Sequence, residues 1–265
     1  MRAEKLGPKT QDAQVAVVTG GSSGIGAAIA RKLAGRGWRL VLLARGEERL
    51  VEVAHEVGGE HEVCNVADRD EVERVAAAVR ERHPVIRLLL NNAGIPGGGG
   101  FLDLEPEQIE ELIRTNYLGS VWCLRAFLPA LVAGAPADLV NIASVAGTIA
   151  AGPSGAYSAS KHAQIAFSRS VGVELAGSGI AVHTIIPGLI DTPGFPNRSR
   201  FRNRLLQGLV ADPGLVADQV VRAVERNRLE QFVPRWYRPA AILQAAAPGL
   251  LARAARASAV RRKRK

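Results

Sequence analysis

A doubly wound α/β fold, one parallel sheet between two layers of helices, is predicted by short apolar runs that alternate with longer amphipathic ones along the chain. The turn between the first two runs, Thr19-Gly20-Gly21-Ser22-Ser23-Gly24-Ile25-Gly26, has the glycine content of a strand-to-helix turn that approaches a phosphate. A length of 265 residues suits one large domain, and no internal repeat or Pro/Ser/Gly-rich linker divides it.

Val15–Thr19, Arg39–Ala44, His61–Asn65, Leu88–Asn91, Asp138–Ile142 and Ala181–Ile186 read as strands, nearly continuous in Val, Ile and Leu as strands buried on both faces are. Between them, Ile25–Gly35, Glu47–Val57, Arg69–His83, Pro106–Val132 and Ser154–Ala176 have helical length and spacing. Such sheets bind ligands beyond the carboxyl ends of their strands, so the residues just after each strand are the candidates for chemistry. The sequence divides into a polar extension (1–14), the α/β domain (15–251) and a basic tail (252–265), with a substrate lid expected between Gly194 and Asp212.

The polar first fourteen residues hold no apolar core of a signal peptide, and the two cysteines, Cys64 and Cys123, are too few for a disulfide framework. A cytoplasmic protein is therefore expected, with both thiols as small core residues. The formal charge of +9 suggests nucleic acid until it is located: Arg253, Arg256, Arg261, Arg262, Lys263, Arg264 and Lys265 lie in the tail without an acid. Removing those seven from 34 leaves 27 basic residues against 25 acidic ones, so the body is nearly neutral and nucleic acid is not the expected partner.

Gly20, Gly24 and Gly26 let the backbone approach a pyrophosphate, with Ser22, Ser23 and Ile25 around the N–H groups that open the first helix. At the end of the second strand Ala44 is followed by Arg45, where an acid would hold the ribose hydroxyls of NAD(H). A guanidinium there makes charge-assisted bonds to a 2′-phosphate, which favours NADP(H) over NAD(H). Tyr157 and Lys161 sit four apart on one helix, so a phenol and an ammonium share a face, and a nearby cation lowers a phenol's pKa. His162, at the next position, faces elsewhere, and the histidines show no metal spacing.

These motifs together resemble the short-chain dehydrogenase/reductase family. The TGxxxGxG turn, Asn91-Asn92-Ala93-Gly94 after the fourth strand, Ser144 thirteen residues before Tyr157, the YxxxK pair, and Pro187-Gly188 with Thr192 carry the resemblance from about Val15 to Thr192. It implies a Rossmann-type fold and a catalytic set of Asn116, Ser144, Tyr157 and Lys161. Tyr157 would exchange a proton with the substrate oxygen, Ser144 would hydrogen-bond that oxygen, Lys161 would tune the phenol and bind the nicotinamide ribose, and Asn116 would hold a water in a proton relay. Asn65 and Val66 are expected at the adenine, although the family usually has an Asp in place of Asn65. Asn92, Ala93 and Gly94 are expected on the adenosine side, and Pro187, Gly188, Ile190 and Thr192 at the nicotinamide carboxamide. A homodimer or homotetramer through the helices 106–132 and 154–176 is also implied.

The expected activity is hydride transfer between NADP(H) and a carbonyl or alcohol carbon of a lipophilic substrate. Reduction of a 3-oxoacyl thioester is the alternative if Arg198, Arg200, Arg202 and Arg204 meet an anionic carrier at the cleft mouth; a solvated helix is the other reading of that segment. A non-catalytic NADP(H) sensor is the alternative of another class, and the Tyr157/Lys161 pair argues against it. The aromatic-led stretch from Phe232 and the basic end suit contact with an anionic membrane surface, or else a solubilising tail.

Overall fold

The structure, a computed structural model, describes residues 14–97, 99–150, 154–193, 210–249 and 252–253. The extension 1–13, most of the expected lid with its four arginines, and nearly all of the basic tail lie outside the described residues.

Seven parallel strands form one sheet: β1 (Val15–Thr19), β2 (Arg39–Ala44), β3 (Glu60–Val63), β4 (Leu88–Asn91), β5 (Ala137–Ile142), β6 (Ile180–Pro187) and β7 (Glu230–Val233). Their order is β3-β2-β1-β4-β5-β6-β7, so the winding reverses between β1 and β4. The helices are α1 (Gly24–Ala34), α2 (Glu47–Val57), α3 (Arg69–Arg82), α4 (Pro106–Ile113), α5 (Gly119–Ala133), α6 (Gly155–Glu174), α7 (Pro213–Arg226) and α8 (Tyr237–Ala246). α1, α2 and α7 cover one face and α3, α5 and α6 the other. Alternation along β1 serves both layers: Ala16 and Val18 join the first core, Val15 and Val17 the second.

Three differences from the expected elements have physical causes. β3 runs 60–63 rather than 61–65 and is not apolar throughout, because at the sheet edge every other residue faces water; Glu60 and Glu62 pair with Arg82 of α3. The single helix expected over 106–132 is two, α4 and α5, joined by a π-helical turn at Arg114–Leu118. The seventh strand, Glu230-Gln231-Phe232-Val233, escaped the apolar criterion because it too is an edge strand and half polar.

The termini of the helices follow their sequences. Asp68 accepts bonds from the N–H groups of Asp70 and Glu71 and caps α3, and Asp212 caps α7 through Gly214. α2 stops at Gly58, whose positive φ of 61° costs glycine nothing. Ile190 pairs with Ala211, which ties together the chain on either side of residues 194–209.

Candidate active site

The carboxyl ends of β1, β4, β5 and β6 open on one cleft of about 380 Å³, within the range of small-molecule sites. Its floor is stitched by Thr19, whose hydroxyl donates to Leu90 O at 3.1 Å and accepts the N–H groups of Asn92 and Ala93 at 3.0 Å each. The Asn92 side chain returns the tie, donating to Thr19 O at 3.0 Å and Gly20 O at 3.1 Å. Glycine is required here by contact. A Cβ on Gly20 would stand 2.9 Å from Ala93 Cα, and one on Gly26 would stand 2.1 Å from Gly20 O.

Helix α1 starts at this turn without a side-chain cap and without an acidic residue in its first turn, so its leading N–H groups can accept an anion. Thr115 Oγ1, buried with no hydrogen-bond partner, belongs to a residue of the cleft wall. An uncapped helix, a glycine cradle and an orphaned hydroxyl fit an anionic, polar ligand such as a dinucleotide. Among the candidates for cofactor contact, Gly20, Ser22, Ser23, Gly24, Ile25, Arg45, Val66, Asn92, Ala93, Gly94, Tyr157, Lys161, Pro187, Gly188, Ile190 and Thr192 line the cleft.

Two do not. Gly26 lies beneath the turn and serves its packing. Asn65 faces a neighbouring groove with Asp68, Leu118 and Trp122, and its Oδ1 accepts the N–H of Ala67 at 3.2 Å. Cys64 and Val66 form the cleft wall at the end of β3. Burial pushes the Cys64 thiol up to about 12, which keeps it protonated and unreactive.

Arg45 stands at the cleft rim, about half exposed, and its Nη1 donates to Glu111 Oε1 of α4 at 3.2 Å. So exposed a pair is worth at most about 1 kcal/mol, and a phosphate dianion can displace it. Glu111 thereby brings a negative charge to the cleft rim beside Arg45.

At the chemical centre Ser144 ends the β5 crossing, and its Oγ accepts the Ala146 N–H at 3.2 Å. Tyr157 and Lys161 lie one turn apart on α6, and Ser144 lines the same cleft wall. The expectation that Lys161 draws the phenol's pKa down needs correction. Burial sets the direction, raising the Tyr157 pKa above its ordinary value, with Ser144 acting in the opposite direction. Lys161 Nζ instead donates to Ile142 O at 3.1 Å and to Gln164 Oε1 at 2.8 Å. Burial without a charged partner pushes this lysine down to about 7.

Asn116 lies in the π turn, as π turns often mark functional sites, but its side chain does not reach Lys161. Its Oδ1 accepts from Ile95 N at 2.8 Å, and its Nδ2 donates to Ile95 O and Ser160 Oγ at 3.1 Å each. The amide thereby fixes the loop beside the cleft. His162 turns outward with Nδ1 on Ser158 O, and the buried His183 pairs with Asp138 at 2.9 Å below the middle of the sheet.

Past β6, the Gly188 N–H donates to Val233 O at 2.8 Å and the Leu189 N–H to Tyr237 Oη at 3.3 Å. The Tyr237 ring presses so closely on Gly188 that a Cβ there would stand 1.9 Å from it. Tyr237, Glu111 and Gln164 are the site residues that sequence reasoning missed. Only their three-dimensional contacts identify them, since none belongs to a recognisable motif.

Comparison with known proteins agrees with this geometry. The family model for short chain dehydrogenases matches residues 14–203. A putative ketoacyl reductase of Streptomyces coelicolor is 40% identical over 191 residues, 69% of this chain and 73% of the relative. A short chain dehydrogenase/reductase from Burkholderia phymatum, solved with NAD, aligns with a TM-score of 0.80 at 26% identity over 91% of this chain and 95% of that one. An actinorhodin polyketide ketoreductase variant, solved with NADPH, aligns with a TM-score of 0.75 at 32% identity over 85% and 97%. The reversing parallel sheet, the glycine turn and the Ser144/Tyr157/Lys161 centre thus occur in a chain whose matched region spans most of its length, and the chain belongs to the short-chain dehydrogenase/reductase family of oxidoreductases.

Proposed function

We propose that the protein reduces a ketone or aldehyde of a lipophilic substrate with NADPH, or oxidises the corresponding alcohol with NADP+. The observation that carries the reading is the convergence of Ser144, Tyr157 and Lys161 on the cleft that begins at the Gly20–Gly24 turn. When bound, the nicotinamide supplies or accepts the hydride. The rest is the work of side chains. Tyr157, kept protonated by burial, donates its phenolic proton to the carbonyl oxygen in reduction and takes it back in oxidation. Ser144 gives a hydrogen bond to the same oxygen as charge grows on it. The Lys161 ammonium holds the ribose hydroxyls and supplies positive potential beside the phenol.

The NADP preference rests on Arg45 and on the absence of an acid after β2. Titration of the protein with NADPH and NADH, followed by nicotinamide fluorescence, tests it. Tighter NADPH binding that is lost in Arg45→Ala is expected; equal binding would reduce Arg45 to a surface residue.

A second substrate class, a 3-oxoacyl thioester, is favoured by the likeness to a putative ketoacyl reductase. Under this reading Arg198, Arg200, Arg202 and Arg204 meet the carrier's phosphates. Competition by free CoA that disappears on Arg-to-Ala change would support it. A non-catalytic sensor has no use for a Tyr/Lys pair lining its cleft, and turnover of any carbonyl removes that reading.

Assembly as a homodimer or homotetramer through α4, α5 and α6 is supported by exposed apolar residues such as Val132 and Val173 on those helices. Peripheral contact with an anionic membrane is supported by exposed Trp236, Ile242 and Leu243 near Arg235 and Arg238, followed by the basic tail. Among the described residues no helix is long and apolar enough to cross a membrane. Unchanged liposome sedimentation after deletion of 252–265 would count against an anchoring tail.

A further inference from the structure

Lys161 is buried without a carboxylate, and what holds its ammonium is a neutral amide. Gln164 is fully buried one turn along α6, and its Oε1 accepts from Lys161 Nζ at 2.8 Å while its Nε2 donates to Ser120 Oγ of α5 at 2.9 Å. The chain of bonds continues inward. Asn91 Nδ2 donates to Ser120 O at 3.2 Å and to Asn141 Oδ1 at 2.9 Å, Asn141 Nδ2 donates to Ser168 Oγ at 2.9 Å, and Ser168 meets Thr184 Oγ1 at 2.7 Å.

So many buried polar groups are costly unless each finds a partner, and in this network Asn91 Oδ1 has none, so the network calls for a role. It does not conduct protons, because a primary amide passes a proton on only through its unstable imidic form, and amides occupy three of the links. What it does is orient. The Ser120 bond keeps the Gln164 nitrogen turned away, so the carbonyl oxygen faces the lysine. The opposite orientation would set amide hydrogens against the ammonium.

We propose that Gln164 is a positioning residue for Lys161, holding the ammonium against the Ile142 carbonyl at the cleft wall beside Tyr157. A neutral acceptor suits the purpose. It stabilises the positive charge by hydrogen bonding yet leaves its field uncancelled, whereas a carboxylate at 164 would neutralise the potential that the phenol is to feel.

Among the described residues no charged group partners the ammonium, whose acceptors are Gln164 Oε1 and the Ile142 carbonyl. The titratable groups on elements in contact with α6 are Glu107, Glu110 and Glu111 of α4, Arg114 and Tyr117 of the π turn, Cys123 and Arg125 of α5, Asp138 of β5, His183 of β6, and Glu230 of β7, which pairs with Arg169. On α6 itself there are Tyr157, His162, Arg169 and Glu174. None contributes to the lysine's shift, whose cause is burial. Removal of the amide acceptor therefore leaves the ammonium with less to offset its desolvation.

The catalytic meaning of this inference rests on the Tyr157/Lys161 reading above, but its test does not. The chain has six lysines, so [13Cε]-lysine labelling of the full-length, cofactor-free protein gives a resolvable titration of Lys161. Gln164→Met, of similar volume without the acceptor, is expected to lower the Lys161 midpoint by about one to two pH units, the equivalent of one hydrogen bond to a charged group. Gln164→Glu is expected to raise it. The pH dependence of kcat should move in the same directions, with KM little changed. A Lys161 midpoint that is the same in wild type and both variants overturns the proposal, and should Gln164→Met fail to fold, the Glu variant alone decides by moving upward or not. Turnover retained by Tyr157→Phe would defeat the functional reading while the titration still judged the Gln164 contact, so the two failures are distinct.

Discussion

A lysine titrating at about 7 rather than the usual 10.5 stores free energy in the fold. Between those two values the unfolded chain binds the proton that the folded chain has released. Stability therefore rises with pH across that window, and the destabilisation due to Lys161 is full below pH 7 and gone above 10.5. Denaturation of the cofactor-free protein at pH 7 and pH 9 should show wild type gaining on Lys161→Met at the higher pH; parallel behaviour of the two would mean that the lysine is not depressed. The acid at the rim makes a second prediction. Glu111→Gln releases Arg45 from its 3.2 Å pair and removes a charge that repels the 2′-phosphate, so NADPH should bind several-fold more tightly with NADH unaffected. Equal effects on both nucleotides would place Glu111 away from the phosphate. Tyr157, Lys161 and Ser144 were legible in the sequence because their residue types fall at the ends of predictable strands and at helical spacing. Glu111 and Tyr237 were not, since their partners Arg45 and Leu189 lie 66 and 48 residues away and only the tertiary fold brings them together.

Among the elements, those with apolar runs long enough to be buried on both faces could be read directly: β1, β2, β4, β5 and β6 fall close to their expected bounds. The edge strands were less legible: β3 runs 60–63 rather than the expected 61–65, and β7 was missed. β3 and β7 cover one side of the sheet each, so half of their residues are polar and the apolar criterion loses its contrast. The π turn between α4 and α5 was equally hidden, because an inserted residue leaves the helical composition unchanged while rotating the faces that follow. The glycine turn makes its own prediction. Gly26→Ala would force a methyl group into the Gly20 carbonyl at 2.1 Å, a backbone atom that cannot swing aside. A loss of about 1–3 kcal/mol in urea denaturation is expected, together with weaker binding of either nucleotide. Wild-type stability and binding would show that α1 can shift away from the turn. In the opposite layer, Phe127 of α5 is fully buried, and Phe127→Ala should cost about 3–5 kcal/mol without altering nucleotide preference.

For the whole molecule, the reversal of strand order between β1 and β4 decides where function lies. Helices that follow strands on the two sides leave in opposite directions there, and the gap between them becomes the cleft. β1 and β4 supply the turn for the anionic end, β5 and α6 the reacting groups, and β6 the far wall, itself braced by Tyr237 from α8. Part of this division was legible in the sequence, because the candidate residues fall just after the strands expected there. The substrate's shape could not be foretold, because the motifs legible in the sequence concern the nucleotide and the reacting group alone.

The central claim is that Tyr157 exchanges the substrate's proton in this cleft. Its most direct test is NADPH consumption by wild type and Tyr157→Phe against a panel of lipophilic ketones and aldehydes, with NADPH binding measured in parallel. The account predicts turnover by wild type, a loss of about 100-fold or more in the variant as expected for removal of a general acid, and NADPH binding unchanged within a few-fold. A variant that turned over as fast as wild type would contradict it.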